Sequence, residues 1–178
     1  MYVVEDFYED VLKRIEENGF CIEVLPYDVT EMVCEALKDS SAFRFAVVSI
    51  DDKGFGPTRI EMGPAIAGVH RMNFADIDDC DADYLFKYAA KQEDLNGLRA
   101  FIDKVIVNCD FLIVHCAAGI SRSPAVASVI EEYLGYEDTI WNSGRYHPNR
   151  HVYKLVLKEF GIEKSEKEID QKYQMLKI

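Results

Sequence analysis

Apolar and polar positions along this chain follow two periods in turn. Over residues 5–18, Phe7, Val11, Leu12 and Ile15 recur at helical spacing and Gly19 follows, which predicts an amphipathic helix and its stop. Phe20, Ile22 and Val24 alternate as in a short strand. Thr30–Leu37 reads as a helix. Phe43–Ile50, rich in aromatic and β-branched residues, reads as a buried strand. Gly54, Gly56, Pro57, Gly63 and Pro64 mark residues 51–64 as a long loop. Ala65–Phe74 predicts a strand, and residues 75–83, with five aspartates, an exposed loop.

From Asp83 to Asn108 the pattern turns helical, with Leu95, Leu98, Ile102 and Val105 in step. Phe111–Val114 is a continuous apolar run, the mark of a central strand covered on both faces. Ser123–Tyr133 predicts a helix broken at Gly135, and Arg150–Phe160 another, ended by Gly161. Ser165 and Glu168 have the spacing of a capping box, and Ile169, Tyr173 and Leu176 then share one face, so a docked terminal helix is expected over about 164–177. Strands alternating with helices predict an α/β fold with a central, mainly parallel sheet flanked by helices. No repeat or linker interrupts the chain, so one domain is expected over 1–178, with the first 40 or so residues and the terminal helix packed on it.

Composition narrows the function. The chain has 178 residues, 49% apolar and 29% charged, which excludes disordered and fibrous classes. A chain of this size buries roughly 70% of the surface that its unfolded form exposes, enough for one ordinary core. The longest apolar run is too short to span a bilayer, and the first residues are acidic where a leader needs basic ones. A soluble, cytoplasmic protein is expected. A net charge of −12 opposes nucleic acid and anionic membranes over most of the surface, so an anionic ligand needs a concentrated positive site. The five cysteines, Cys21, Cys34, Cys80, Cys109 and Cys116, form no framework and fit free thiols.

That positive site is legible in Val114-His115-Cys116-Ala117-Ala118-Gly119-Ile120-Ser121-Arg122-Ser123-Pro124. A cysteine and an arginine at this spacing arise by chance roughly one time in five in such a chain. The context makes the pair specific, because an apolar strand runs into Cys116 and a helix opens at or just after Arg122. A tight strand-to-helix loop turns successive N–H groups inward as an anion nest, and the helix start adds more. Gly119 permits a backbone angle that a Cβ resists. Ala117 and Ala118 keep bulk out. Arg122 can fork two donors onto two oxygens of a tetrahedral anion. The donors that suit phosphate also suit a thiolate, so the Cys116 pKa should fall well below about 8.5.

This segment resembles the active-site loop of the cysteine-dependent protein tyrosine phosphatase superfamily, His-Cys-x5-Arg-Ser/Thr, and is most similar to dual-specificity phosphatases. The resemblance implies a phosphotyrosine phosphatase-like fold and a phosphomonoester hydrolase with no cofactor and no metal. Its substrate would be a phosphorylated protein or a small phosphomonoester. It implies that Cys116 is the nucleophile and passes through a phosphocysteine. Arg122 and the backbone of Ala117, Ala118, Gly119, Ile120 and Ser121 would bind the phosphoryl group. Ser123 would donate to the departing sulfur, and His115 would order the loop and help hold the thiolate. It further implies a general acid on a loop upstream. Asp76, directly after the predicted strand, is the choice, with Asp78 and Asp79 next and Asp51 and Asp52 set aside. Asn149, in His147-Pro148-Asn149, would support the loop from behind.

Other readings stay open at this stage. Without an aspartate in the pocket, the chain would be a phosphate-binding pseudophosphatase. Sulfur transfer or arsenate reduction would keep the pocket and change the chemistry, but the loop length and its place late in the chain fit neither. Inositol phosphates would need cations that Ala117, Ala118 and Ile120 do not supply, leaving Arg71, Arg145 and Arg150 as candidates. Cys80 and Cys109 are candidate resolving thiols. His70, His147 and His151 show no metal-ligand spacing, and the aspartate run lacks the pattern of a calcium loop.

Overall fold

A computed structural model describes residues 4–52, 56–79 and 83–176. Helix α1 (Val4–Asn18) leads into strand β1 (Cys21–Pro26), helix α2 (Tyr27–Leu37) and strands β2 (Phe45–Asp51) and β3 (Ile66–Asn73). Two 3₁₀ turns, Asp83–Tyr88 and Gln92–Leu95, precede α3 (Leu98–Val105), β4 (Phe111–Cys116), α4 (Arg122–Leu134), a short α5 (Thr139–Asn142), α6 (Arg150–Phe160) and α7 (Glu166–Met175). The strands form one sheet in the order β1-β4-β2-β3 with every pairing parallel, so the fold is α/β.

Strand periodicity explains the layering. On β2 and β4 alternate side chains enter opposite cores, because both faces are covered. Phe45, Val47, Phe111 and Ile113 pack with residues of α1 and α2, where the Phe45 and Phe111 rings stack at 4.9 Å. Ala46, Val48, Leu112, Val114 and Cys116 face the other core, built with α3, α4 and α6. β4 is thus interior in the sheet and buried throughout, as its apolar run predicts. Its C-terminal end, with Cys116, is the point from which α4 departs.

The predicted helices and strands are found close to their expected limits. Gly135 and Gly161 end α4 and α6 with positive φ, and Ser165 and Glu168 form the expected capping box on α7. Two expectations need correction. Asp83–Asn108 is not one helix: two 3₁₀ turns come first, and Gly97, at φ +81°, turns the chain into α3. That turn still delivers Leu95, Leu98, Ile102 and Val105 to the core, which is why their spacing looked continuous. The aspartate segment is not simply solvated, since Asp78 and Asp79 are bonded to α6. Helix α5 had no periodic signal, being only four residues long. Among the described residues no helix is long and apolar enough to cross a membrane.

Candidate active site

The loop from Ala117 to Ser121 joins β4 to α4. Gly119 adopts φ +70°, and a Cβ there would lie 2.8 Å from the backbone of Leu25 and Pro26, so no larger residue fits. The loop's carbonyls are tied outward: those of Ala117, Ile120 and Ser121 accept from the backbone N–H of Tyr27, His147 and Asn149. Among the described residues the N–H groups of 117–121 have no acceptor. Carbonyls held outward and N–H groups left unpaired make a nest for an anion, at the positive end of a 13-residue helix.

Cys116 is 2% exposed at the floor of this loop, and the Ser123 hydroxyl donates to its Sγ at 3.1 Å. Arg122, also 2% exposed, opens α4 beside it. Its Nη1 donates to Asp52 Oδ1 at 2.6 Å and to the Phe74 carbonyl at 2.8 Å, and its Nη2 donates to Asp52 Oδ2 at 3.1 Å. A guanidinium has five N–H donors, and these bonds use three. Nε–H and one Nη2–H remain along one edge, and Nε is buried with no partner. An orphaned buried donor is costly unless an acceptor arrives, so this edge is built for an anion.

Asp76 reaches the same place from the end of β3. Its Oδ1 accepts from Ser121 Oγ and from Asn149 Nδ2, both at 2.8 Å. Its Oδ2 lies 3.9 Å from Arg122 Nε, so that oxygen faces the open edge of the guanidinium. Asn149 also donates to the Ile77 carbonyl and, through Oδ1, caps α6 at Val152 N–H. Asp78 Oδ1 accepts from His151 N–H at 3.0 Å, and Asp79 pairs with Lys154 at 2.8 Å. These two anchor the segment to α6.

His115 is fully buried, and neither ring nitrogen has a hydrogen-bond partner among the described residues. Burial pushes its pKa down to about 4, against the pull of nearby Asp51. The imidazole is therefore neutral near pH 7 and brings no positive charge to Cys116. Asp51 accepts from Thr58 N–H and Oγ1 and from Ser49 Oγ, which holds its carboxyl below the usual range despite burial.

Several sequence-level candidates lie elsewhere. Cys109 precedes β4 at the end opposite Cys116, about 20 Å away at ~3.3 Å per strand residue, so it is no resolving thiol for it. Burial raises the Cys109 thiol to about 11 and those of Cys21 and Cys34 to about 12. Cys80 lies outside the described residues. Arg150 pairs with Glu166, Asp170 and Asp79, and Arg71 with Asp51, so neither is a spare cation for a second phosphate. Asp52 is the residue that sequence reasoning missed. Its only signal was a carboxylate placed directly after a buried strand.

In comparisons with known proteins, no family model and no curated protein matches the chain. Among solved structures it is similar to human DUSP28, at 11% identity and a TM-score of 0.39 over 88% of this chain and 91% of that one. It is also similar to a substituted form of human DUSP28, at 12% identity and a TM-score of 0.40 over 88% of both chains.

Proposed function

We propose that the chain is a cysteine-dependent phosphomonoester hydrolase of the protein tyrosine or dual-specificity phosphatase type. The observation that carries this reading is the Asp76 carboxylate, bonded to Ser121 within the loop that joins Cys116 to Arg122. A phosphate-binding protein without turnover has no need of a carboxylate there; a hydrolase needs one to protonate the leaving oxygen.

The geometry supports the following roles. The phosphoryl oxygens take the free N–H groups of the loop and the open edge of Arg122. The Cys116 thiolate attacks phosphorus, the phosphorus–oxygen bond to the leaving group breaks, and Asp76 gives that oxygen its proton. In the second step Asp76, now a carboxylate, takes a proton from water. The hydroxide attacks the phosphocysteine, and orthophosphate leaves as Ser123 donates to the returning sulfur. The loop carries no cationic side chain besides Arg122, which favours a singly phosphorylated group.

Hydrolysis of 4-nitrophenyl phosphate in the presence of chelator tests the reading. Turnover by the natural chain, and none by Cys116→Ser, is expected. Full activity in Cys116→Ser would remove the thiol from the reaction.

A further inference from the structure

A cleft of about 420 Å³ lies between the start of α2 and residues 56–58. That is the size of a small-ligand site. Ala117, the first residue of the loop, lines it, and so does Asp52, the partner of Arg122. Through these two residues the cleft adjoins the phosphate loop and Arg122.

The lining is one-sided in charge. Glu31, Asp51 and Asp52 contribute carboxylates, and among the described residues no lysine, arginine or histidine lines the cleft. Asp51 and Asp52 are paired with Arg71 and Arg122. Glu31 is different: Oε1 accepts from the Arg59 backbone N–H at 2.6 Å, and among the described residues it has no ion pair. Beside it the Tyr27 ring is 51% exposed. A half-buried carboxylate without a counter-charge, next to an open aromatic face, suits a guanidinium or an ammonium. A second phosphate or an acidic side chain would meet the Glu31 charge with no cation among the described lining residues to offset it.

We infer that this cleft is a specificity subsite, which takes the lysine or arginine side chain flanking the phosphorylated residue of a protein substrate. The inference rests on the phosphatase reading and adds a substrate class to it. Phosphate and cation are bound side by side: the loop and Arg122 take the one, Glu31 and Tyr27 the other.

Two phosphotyrosine peptides, matched except for arginine or glutamate on both sides of the phosphotyrosine, test this with the full chain. The arginine peptide should have a kcat/KM about tenfold higher or more, roughly the worth of one partly screened ion pair. Glu31→Gln keeps an acceptor for Arg59 and should bring the ratio towards one; Glu31→Lys should bring it to one or below. Glu137→Lys, past the far end of α4, makes the same change in net charge and should leave the ratio as it is. Equal rates on the two peptides, an unchanged ratio in both Glu31 variants, or faster hydrolysis of an inositol polyphosphate would each overturn the subsite. Turnover of 4-nitrophenyl phosphate with equal peptide rates would remove the subsite alone; no turnover of any of these would remove the phosphatase reading as well.

Discussion

Asp52 grips Arg122 end-on, with Oδ1 2.6 Å from Nη1 and Oδ2 3.1 Å from Nη2. The Phe74 carbonyl takes the other Nη1 hydrogen. A carboxylate and a carbonyl on the outer end fix the plane of the guanidinium and leave its inner edge open. Asp52 thus aims the arginine without competing for the oxygens it is proposed to bind.

Asp52→Ala frees that plane. Turnover of an aryl phosphate should fall about ten- to a hundredfold, the scale of a displacement near 1 Å in a positioned group. Inhibition by vanadate should weaken in step. A variant with the natural vanadate affinity would show that Arg122 is aimed by other contacts.

Asp76 is held by one oxygen, which leaves the other for the proton transfer proposed for it. Ser121→Ala removes one of the two donors to Oδ1. Asn149→Asp removes the other while keeping an oxygen to cap α6. Both variants should slow phosphates with poor leaving groups more than those with good ones, because proton donation matters most when the leaving oxygen is basic. An even loss across a leaving-group series would move the proton donor away from Asp76.

Cys116→Ser keeps the loop and removes the proposed nucleophile, so vanadate should still bind while turnover is lost. In the natural chain, alkylation of Cys116 by iodoacetamide should slow when orthophosphate is added. Alkylation indifferent to orthophosphate would mean that the nest does not surround the sulfur.

Gly119→Ala forces a Cβ to 2.8 Å from the backbone of Leu25 and Pro26 at a positive φ. The loop has to move, and activity should fall by at least tenfold, on the same positional argument. Circular dichroism should remain that of the natural chain if the shift is confined to the loop.

His115 links stability to pH. Its folded pKa is about 4, below the ordinary value of 6.5. Between those values the unfolded chain binds a proton that the folded chain refuses. The contribution of the neutral ring is therefore full above pH 6.5 and is lost as pH falls towards 4; it amounts to about 3 kcal/mol. His70, also lowered by burial, acts in the same sense, whereas Glu23 and Glu131, raised by burial, oppose it. His115→Gln should flatten the slope of Tm against pH from 4 to 6.5; an equal slope would mean that His115 is charged in the folded protein.

The strand, loop and helix around Cys116 were legible in the sequence because each is a local pattern: an apolar run, small residues with Gly119, and then helical spacing from Ser123. Asp76 was legible because it follows a recognisable strand. Asp52 was not, since its partner is 70 positions away and nothing in the intervening chain announces the contact. The anchoring of Asp78 and Asp79 was hidden for the same reason, with Asp78 bonded to a backbone N–H 73 positions later. The 83–108 segment misled because the inward spacing of its core residues survives a turn at Gly97 that the period alone does not register.

The clamp of Ser121 and Asn149 on Asp76, with Asp78 and Asp79 pinned to α6, settles the carboxylate before the chain reaches residue 80. The chain that follows returns to it once more, where Ala75 N–H donates to the Tyr88 carbonyl. Changes of length between Val107 and Asp110, beyond these ties, would reshape the surroundings and leave the Asp76 carboxylate where it stands.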